Sequence, residues 1–355
     1  MKKFLIIFIG IIILLVVGVV TFYKLNLKAV SSSSIEVEFE VPKGSTYYTI
    51  IPKLKSEGLI RNELCFKIYV KLNKAKDLQA GTYKLNKNMS VKEIISVFDK
   101  GNTYNPDAIT ITFKEGKHMR YIAEVIATNT NNYYDDVMNL LKDTDYLNEL
   151  INTYWFIDES ILNKDIYYAL EGYLYPETYE FNNKDVTIKE IFKTMLDEMG
   201  TKLEPYKNDI ENSKYSIHEL LTLASIVELE GKVKDDRKEI AGVFYNRLNS
   251  RMTLGSDVTT YYAVKKEMTD PLYKTEVDSV NAYNTRSSSM AGKLPVGPIC
   301  NPSIESIEAV IKPSNNDYYY FVADKNGKAY FSKTYSEHLA TINNLKNSGM
   351  WYEYE

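Results

Sequence analysis

The sequence predicts an α+β chain: an N-terminal transmembrane helix, a small α/β subdomain, and a larger mixed α+β domain. Three observations lead there. Residues Phe4 to Tyr23 form one uncharged apolar run. Residues 35–101 alternate a period-two strand with amphipathic helices, punctuated by Gly and Pro turns. Further on, Ser216 to Gly231 is a helix apolar on nearly every side that ends in two carboxylates, Glu228 and Glu230. A helix apolar all round is a buried one. With 355 residues the chain has room for one large or several small domains.

The elements follow in order. Lys2 and Lys3 precede the apolar run, whose roughly 20 residues span about 30 Å as a helix, the thickness of a bilayer core. It ends Val19-Val20-Thr21-Phe22-Tyr23, with no small-x-small cleavage site and no lipobox cysteine, so residues 1–30 read as a cytoplasmic stub and an uncleaved anchor. A first helix with almost nothing before it leaves its short N-terminus inside, which places the rest of the chain outside the cell membrane. Ser31 to Ser34 is a linker. Residues 35–101 then give a strand (Ile35 to Val41), a helix (Thr46 to Glu57), a second helix (Leu64 to Leu72), a strand over Leu78 to Leu85 and a helix from Ser90 to Lys100.

Residues 102–355 form the third segment. Ile109 to Phe113 followed by Gly116 repeats the earlier strand, turn and glycine, Gly44 and Gly116 standing 72 positions apart. Tyr133 to Leu150 reads as one helix, and Leu170 to Tyr179 as an aromatic-rich loop near a strand. Ile188 to Met199 leads into Ser216 to Gly231, where Ser216 and Glu219 make a capping box and Gly231 is a natural C′ residue. Asp236 to Leu248 is helical, Leu294 to Pro302 is a rigid Pro/Gly loop, Ser303 caps a helix to Ile311, and two strands meet at Asp324 to Gly327. Thr334 and Glu337 cap the last helix.

Composition excludes several chemistries. A net charge of −4 gives no electrostatic basis for binding nucleic acid. The three histidines and two cysteines lie far apart in sequence, so no metal site and no cofactor is expected. There is no G-x-S-x-G elbow and no P-loop. Carboxylate chemistry remains. At 100° per residue Glu228 shares a face with Leu221, Ala224 and Ser225, and Glu230 lies about 200° further round. A carboxylate at the end of a buried helix is costly unless paired or held protonated for use, and the local sequence alone favours a solvated or paired Glu228. Polar residues gather downstream: Asn246, Arg247, Asp257, Thr259, Tyr261, Asn284 and Thr285. Glycoside cleavage is the reaction class that needs a buried acid, yet no convincing second carboxylate accompanies it.

At this point the residues carry a resemblance. ASIVELE at 224–230, YNRL at 245–248, L-x-x-D-x-T at 254–259, YNT at 283–285, LPVGPICNP at 294–302 and YYFVADKNG at 319–327 resemble the endolytic murein transglycosylase family (MltG, or YceG-like). VPKGS at 41–45, LQAGTY at 78–83 and LEGYLYPETY at 170–179 match as well, so the resemblance covers roughly 35–345 in order. It implies a membrane-anchored peptidoglycan lytic transglycosylase acting within nascent glycan strands. A single glutamate, in the position of Glu228, would serve as acid and then as base on the sugar's own C6 hydroxyl, leaving 1,6-anhydro-N-acetylmuramyl ends; Glu228 is then expected to line a cleft facing the 254–259 and 283–298 loops, and Glu230 to be structural. It also implies that 35–101 is a LysM-like subdomain, that 102–355 is the catalytic domain, and that cell-wall synthases are partners. Asn246, Asp257, Thr259, Asn284 and Thr285 become candidate substrate-binding groups, while Arg247 is expected to pair with a carboxylate. The chain departs from the family pattern at Val296, Ala329 and Gly231, where Pro, His and Thr are common. Two other readings stand beside this one: a non-catalytic peptidoglycan-binding scaffold, and a muramidase-type hydrolase with Asp257 as second carboxylate.

Overall fold

The computed structural model describes residues 2–73, 75, 78–101 and 103–351. Met1, three positions inside the expected 35–101 segment (74, 76 and 77), Asn102 and 352–355 lie outside the described residues. The chain divides into two compact units, Met1–Ala108 and Ile109–Glu355.

The first unit begins with α1 (Lys2–Asn26), whose stretch Phe4–Asn26 is 23 residues long, apolar and unburied, long enough to cross a membrane. Strand β1 (Glu36–Val41) follows, then α2 (Tyr47–Ser56), α3 (Glu63–Asn73), β2 (Gly81–Asn86) and α4 (Val91–Lys100). β1 and β2 pair antiparallel, with Phe39 opposite Tyr83 and Val41 opposite Gly81. Alternation along β1 sends Phe39 and Val41 inward. They meet Phe98 of α4, whose ring lies 4.9 Å from Tyr83 and 5.9 Å from Tyr47. Ser90 and Glu93 form a capping box at the start of α4, and Gly101 closes it in the left-handed conformation (φ 66°) that glycine alone adopts freely.

The second unit opens on β3 (Ile109–Thr112), with α5 (Met119–Asn129), α6 (Tyr134–Leu140), α7 (Thr144–Thr153), β4 (Thr178–Phe181), α8 (Ile188–Leu203) and α9 (Lys207–Glu211) after it. β3 pairs antiparallel with β4. Gly44 and Gly116 are equivalent in the structure too: each has positive φ and sits two residues before the cap of the following helix, Thr46 of α2 or His118 of α5. The helix expected over Tyr133 to Leu150 is two helices. Asp143 takes an extended conformation and its carboxylate accepts from the N–H groups of Asp145 and Tyr146, so α7 starts afresh there.

Then come α10 (Ile217–Glu230), α11 (Arg237–Asn249), α12 (Asp257–Ala263), α13 (Lys274–Val277), α14 (Ile304–Ile311), the hairpin β5 (Tyr320–Ala323) with β6 (Ala329–Ser332), and α15 (Tyr335–Asn347). α10 is the centre of this unit: every residue from Ile217 to Val227 except Glu219 is buried, and α11, α12 and α14 pack around it. Its capping box of Ser216 and Glu219 forms as expected. Gly231 does not take the left-handed conformation of a C′ glycine (φ −88°). Glycine is needed there for room, because a Cβ would lie 2.6 Å from Arg237 and 2.9 Å from the Val227 carbonyl.

Candidate active site

The end of α10 sends its two glutamates to different tasks. Glu228 and Arg237 form a bidentate pair, with Nη2 donating to Oε1 at 3.0 Å and Nη1 to Oε2 at 3.1 Å. Ser303, the cap of α14, adds its backbone N–H at 3.0 Å and its hydroxyl at 2.5 Å, both to Oε2. Arg237 also donates to the Gly231 carbonyl at 3.0 Å and to the Ser303 hydroxyl at 2.6 Å. Both side chains are nearly closed to solvent, 6% exposed for Glu228 and 7% for Arg237. This is a clamp that ties α10, α11 and α14 together. The expectation that Glu228 faces the 254–259 and 283–298 loops from a cleft is therefore corrected: its oxygens are already committed to Arg237 and Ser303.

Glu230 is the residue that looks into a cleft. The cleft holds about 560 Å³, and Glu230 shares its lining with Arg247, Ser256, Asp257, Arg286 and Tyr320 among others. Oε1 of Glu230 accepts from the Ser256 hydroxyl at 2.5 Å. Burial pushes this carboxyl above the usual glutamate range, and the Asp257 charge adds to the rise. The Ser256 hydrogen bond and the charges of Arg247 and Arg286 pull the other way. The result is a carboxyl shifted towards its protonated form beside open space, as a proton donor needs.

The other expected site residues build the wall behind this acid. Thr259 and Thr285 are fully buried and bonded to each other at 2.8 Å. The Thr285 hydroxyl receives the Ser256 N–H at 3.0 Å, and Thr259 donates to the Ser256 carbonyl at 2.7 Å. Together they set the backbone of the residue that bonds Glu230. Asn284, also fully buried, receives the Thr260 hydroxyl at 2.8 Å and donates to the carbonyls of Val277 and Ser279. None of these three presents its side chain to the cleft. Asn246 lines a different hollow of about 370 Å³, and its amide is held by Asn316 and by the Tyr318 carbonyl. Asp257 does line the cleft, and its carboxylate is bonded to Arg286. Among the described residues Arg247 pairs with no carboxylate by contact. It donates to the backbone carbonyls of Tyr319 and Leu254, each at 2.6 Å.

Sequence reasoning missed Glu230, Ser256 and Arg286. Two residues of separation put Glu228 and Glu230 on opposed sides of α10, so one of them had to face the downstream loops. Choosing between them requires knowing which side α14 covers. Arg237, nine residues beyond Glu228 and just past the glycine turn, was the available signal for the paired glutamate.

Two further groups steady the region. Asn301 receives the backbone N–H groups of Gly172 and Leu174 on its amide oxygen, at 3.1 and 3.0 Å. Its amide nitrogen donates to the Lys117 carbonyl and to Glu171. Glu171, only 1% exposed, also accepts from the Met119 N–H and the Tyr262 hydroxyl, and burial pushes its pKa to about 8. Gly172 has φ +84°, and a Cβ there would fall 2.4 Å from Pro298.

Comparison with known proteins adds a second line. The family model described as YceG-like family matches residues 39–344. A Bacillus subtilis protein named endolytic murein transglycosylase is 39% identical over 308 residues, covering 86% of this chain and 84% of that one. A Streptococcus pneumoniae protein of the same name is 33% identical over 335 residues, 90% of this chain and 60% of that longer one. Among solved structures, a yceG-like protein from Listeria monocytogenes matches with a TM-score of 0.62 at 34% identity, over 87% of this chain and all of that one.

Proposed function

From the premise that this chain belongs to the YceG-like family, we propose its reaction and the residue that performs it. The protein is a peptidoglycan lytic transglycosylase, a reading supported by its relatives named endolytic murein transglycosylase. In our reading Glu230 is its acid and base. The protonated carboxyl of Glu230 gives its proton to the oxygen linking an N-acetylmuramyl C1 to the next sugar. As the C1–O bond breaks, the muramyl C6 oxygen bonds to C1, and the hydroxyl proton passes to the Glu230 carboxylate. A 1,6-anhydro end forms, Glu230 regains its proton, and no water is consumed. Glu228, with Arg237 and Ser303 on its oxygens, acts as a structural clamp in this reading.

One observation carries the proposal. Among the described residues, the cleft holds one carboxyl that is raised and bonded to a hydroxyl alone, while its other acid, Asp257, is tied to Arg286. Hydrolases that activate water or form a covalent intermediate need a second free carboxylate. An attack by the substrate's own hydroxyl does not. The finer features belong to the same proposal: cleavage within nascent strands, a single-pass anchor with the catalytic unit outside, a LysM-like role for residues 35–101, and cell-wall synthases as partners. The β–α–α–β order of β1, α2, α3 and β2 supports the LysM-like assignment. The test is to digest uncrosslinked peptidoglycan with the full-length protein in detergent and weigh the products. Anhydro ends are expected, and their loss in Glu230→Gln. Reducing ends would instead mean a muramidase. Absence of any cleavage would favour a binding scaffold.

A further inference from the structure

The far wall of the Glu230 cleft is made of rings. Thr334 and Glu337 close a capping box that fixes where α15 begins. Tyr335 is its first residue and His338 stands three positions on, so both rings emerge on one face. Their centroids are 6.2 Å apart. Tyr320 of β5 completes the set, 5.7 Å from Tyr335 and 5.5 Å from His338, the planes of Tyr320 and His338 only 27° apart. The Arg247 guanidinium lies 5.5 Å from the centre of the Tyr320 ring. All four residues line the cleft that Glu230 faces.

Among the described residues nothing covers the outer part of this wall: Tyr335 is 59% exposed, though it belongs to an ordered aromatic cluster. The wall is nearly charge-free. Burial and the nearby Arg247 hold the His338 imidazole below its usual range, so it is neutral at neutral pH, and its buried Nδ1 has no hydrogen-bond partner among the described residues. A flat, neutral, electron-rich surface with polar groups at its rim matches a pyranose ring, whose C–H face is apolar and whose edge carries hydroxyl and acetamido groups. An acidic stem peptide would call for free cations. Arg247 is the cation on this wall, and its Nε and Nη1 are held by backbone carbonyls.

We propose that Tyr335, Tyr320 and His338 form a saccharide subsite, on which one pyranose ring of the glycan strand stacks while a nearby linkage reaches Glu230. The proposal rests on the peptidoglycan reading above. Peptide-free strands of alternating N-acetylglucosamine and N-acetylmuramic acid, titrated calorimetrically into full-length Glu230→Gln protein in detergent, test it. Adding Tyr335→Ala is expected to weaken binding about tenfold, the scale of one lost ring contact. In the otherwise native enzyme the same substitution should raise KM by about as much and leave kcat within about twofold. Tyr335→Phe keeps the ring and should restore both. Binding by Tyr335→Ala within twofold of its parent, or a loss that Phe does not repair, overturns the subsite, as does absence of any strand binding. Because the calorimetric arm scores association, it reads the wall whether or not the protein cleaves. A native enzyme that binds strands but yields no anhydro ends would sink the reaction proposed above and leave the subsite standing.

Discussion

Glu228→Gln and Glu230→Gln should fail in opposite ways. The first substitution leaves Arg237 buried, with its bidentate carboxylate partner replaced by a neutral amide. Breaking a buried ion pair by removing one charge costs about 3–5 kcal/mol. The lower half of that range applies, because Arg237 keeps the Gly231 carbonyl and the Ser303 hydroxyl. For a unit of this size each kcal/mol moves the midpoint by about 2–4 °C, so a fall of roughly 6–16 °C is expected in the melting of the catalytic unit. Below that midpoint the Glu228→Gln protein should still release anhydro products at a rate near native. Glu230→Gln removes no ion pair and replaces a carboxyl already pushed towards its neutral form, so its melting temperature should be native or slightly higher. Its cleavage rate should drop by about 10²–10⁴, the contribution of a positioned acid. Differential scanning calorimetry and product analysis on the same samples separate the two. A Glu228→Gln protein that melts like the native one yet cannot cleave would refute the division of roles.

Three more outcomes follow from the same contacts. Cleavage needs Glu230 protonated at its first step, so activity should decline as pH rises through its elevated pKa. Ser256→Ala removes a hydrogen bond that favours the carboxylate, and the alkaline limb of kcat against pH should move upward; a limb that stays put or moves down would break the link. Glu171, with a pKa of about 8 when folded against 4.5 for an ordinary glutamate, holds a proton that the unfolded chain gives up, so its contribution to stability is complete below 4.5 and disappears as pH rises through about 8. Melting temperature should fall over that window, and Glu171→Gln should flatten the slope, with an unchanged slope counting against the assignment. Gly172→Ala forces a Cβ into Pro298 at a residue with positive φ, and should lose at least about 1–3 kcal/mol in denaturant titration; a native midpoint would mean that the 294–302 loop yields freely.

Much of this was legible in the chain because it is local. Capping boxes at Ser216 and Thr334 need only residues three apart, and each forms. The motif strings at 254–259 and 283–285 do meet in space, through Thr259 and Thr285. What the strings could not reveal is which side of each residue faces solvent. Threonines that read as ligands for a sugar are cross-braces instead, because α12 turns them inward. The break at Asp143 hid for a similar reason: an aspartate within an Asp-rich run signals a cap only once its backbone is seen to be extended. The choice between Glu228 and Glu230 depended on a helix some 75 residues further on, whose packing no local pattern encodes.

The position of these two glutamates at helix ends has an electrical consequence. Aligned peptide dipoles leave a helix partly positive at its start and partly negative at its finish. Glu230 is the last residue of α10, so the negative pole resists ionisation of its carboxyl. Glu228 lies only two residues earlier, but its oxygens touch the first N–H of the α14 cap, at a positive pole. One glutamate thus sits at a negative helix end and the other reaches a positive one. The field that sorts them is built into the fold, and in the buried parts of the site added salt screens it far less than it would at an open surface.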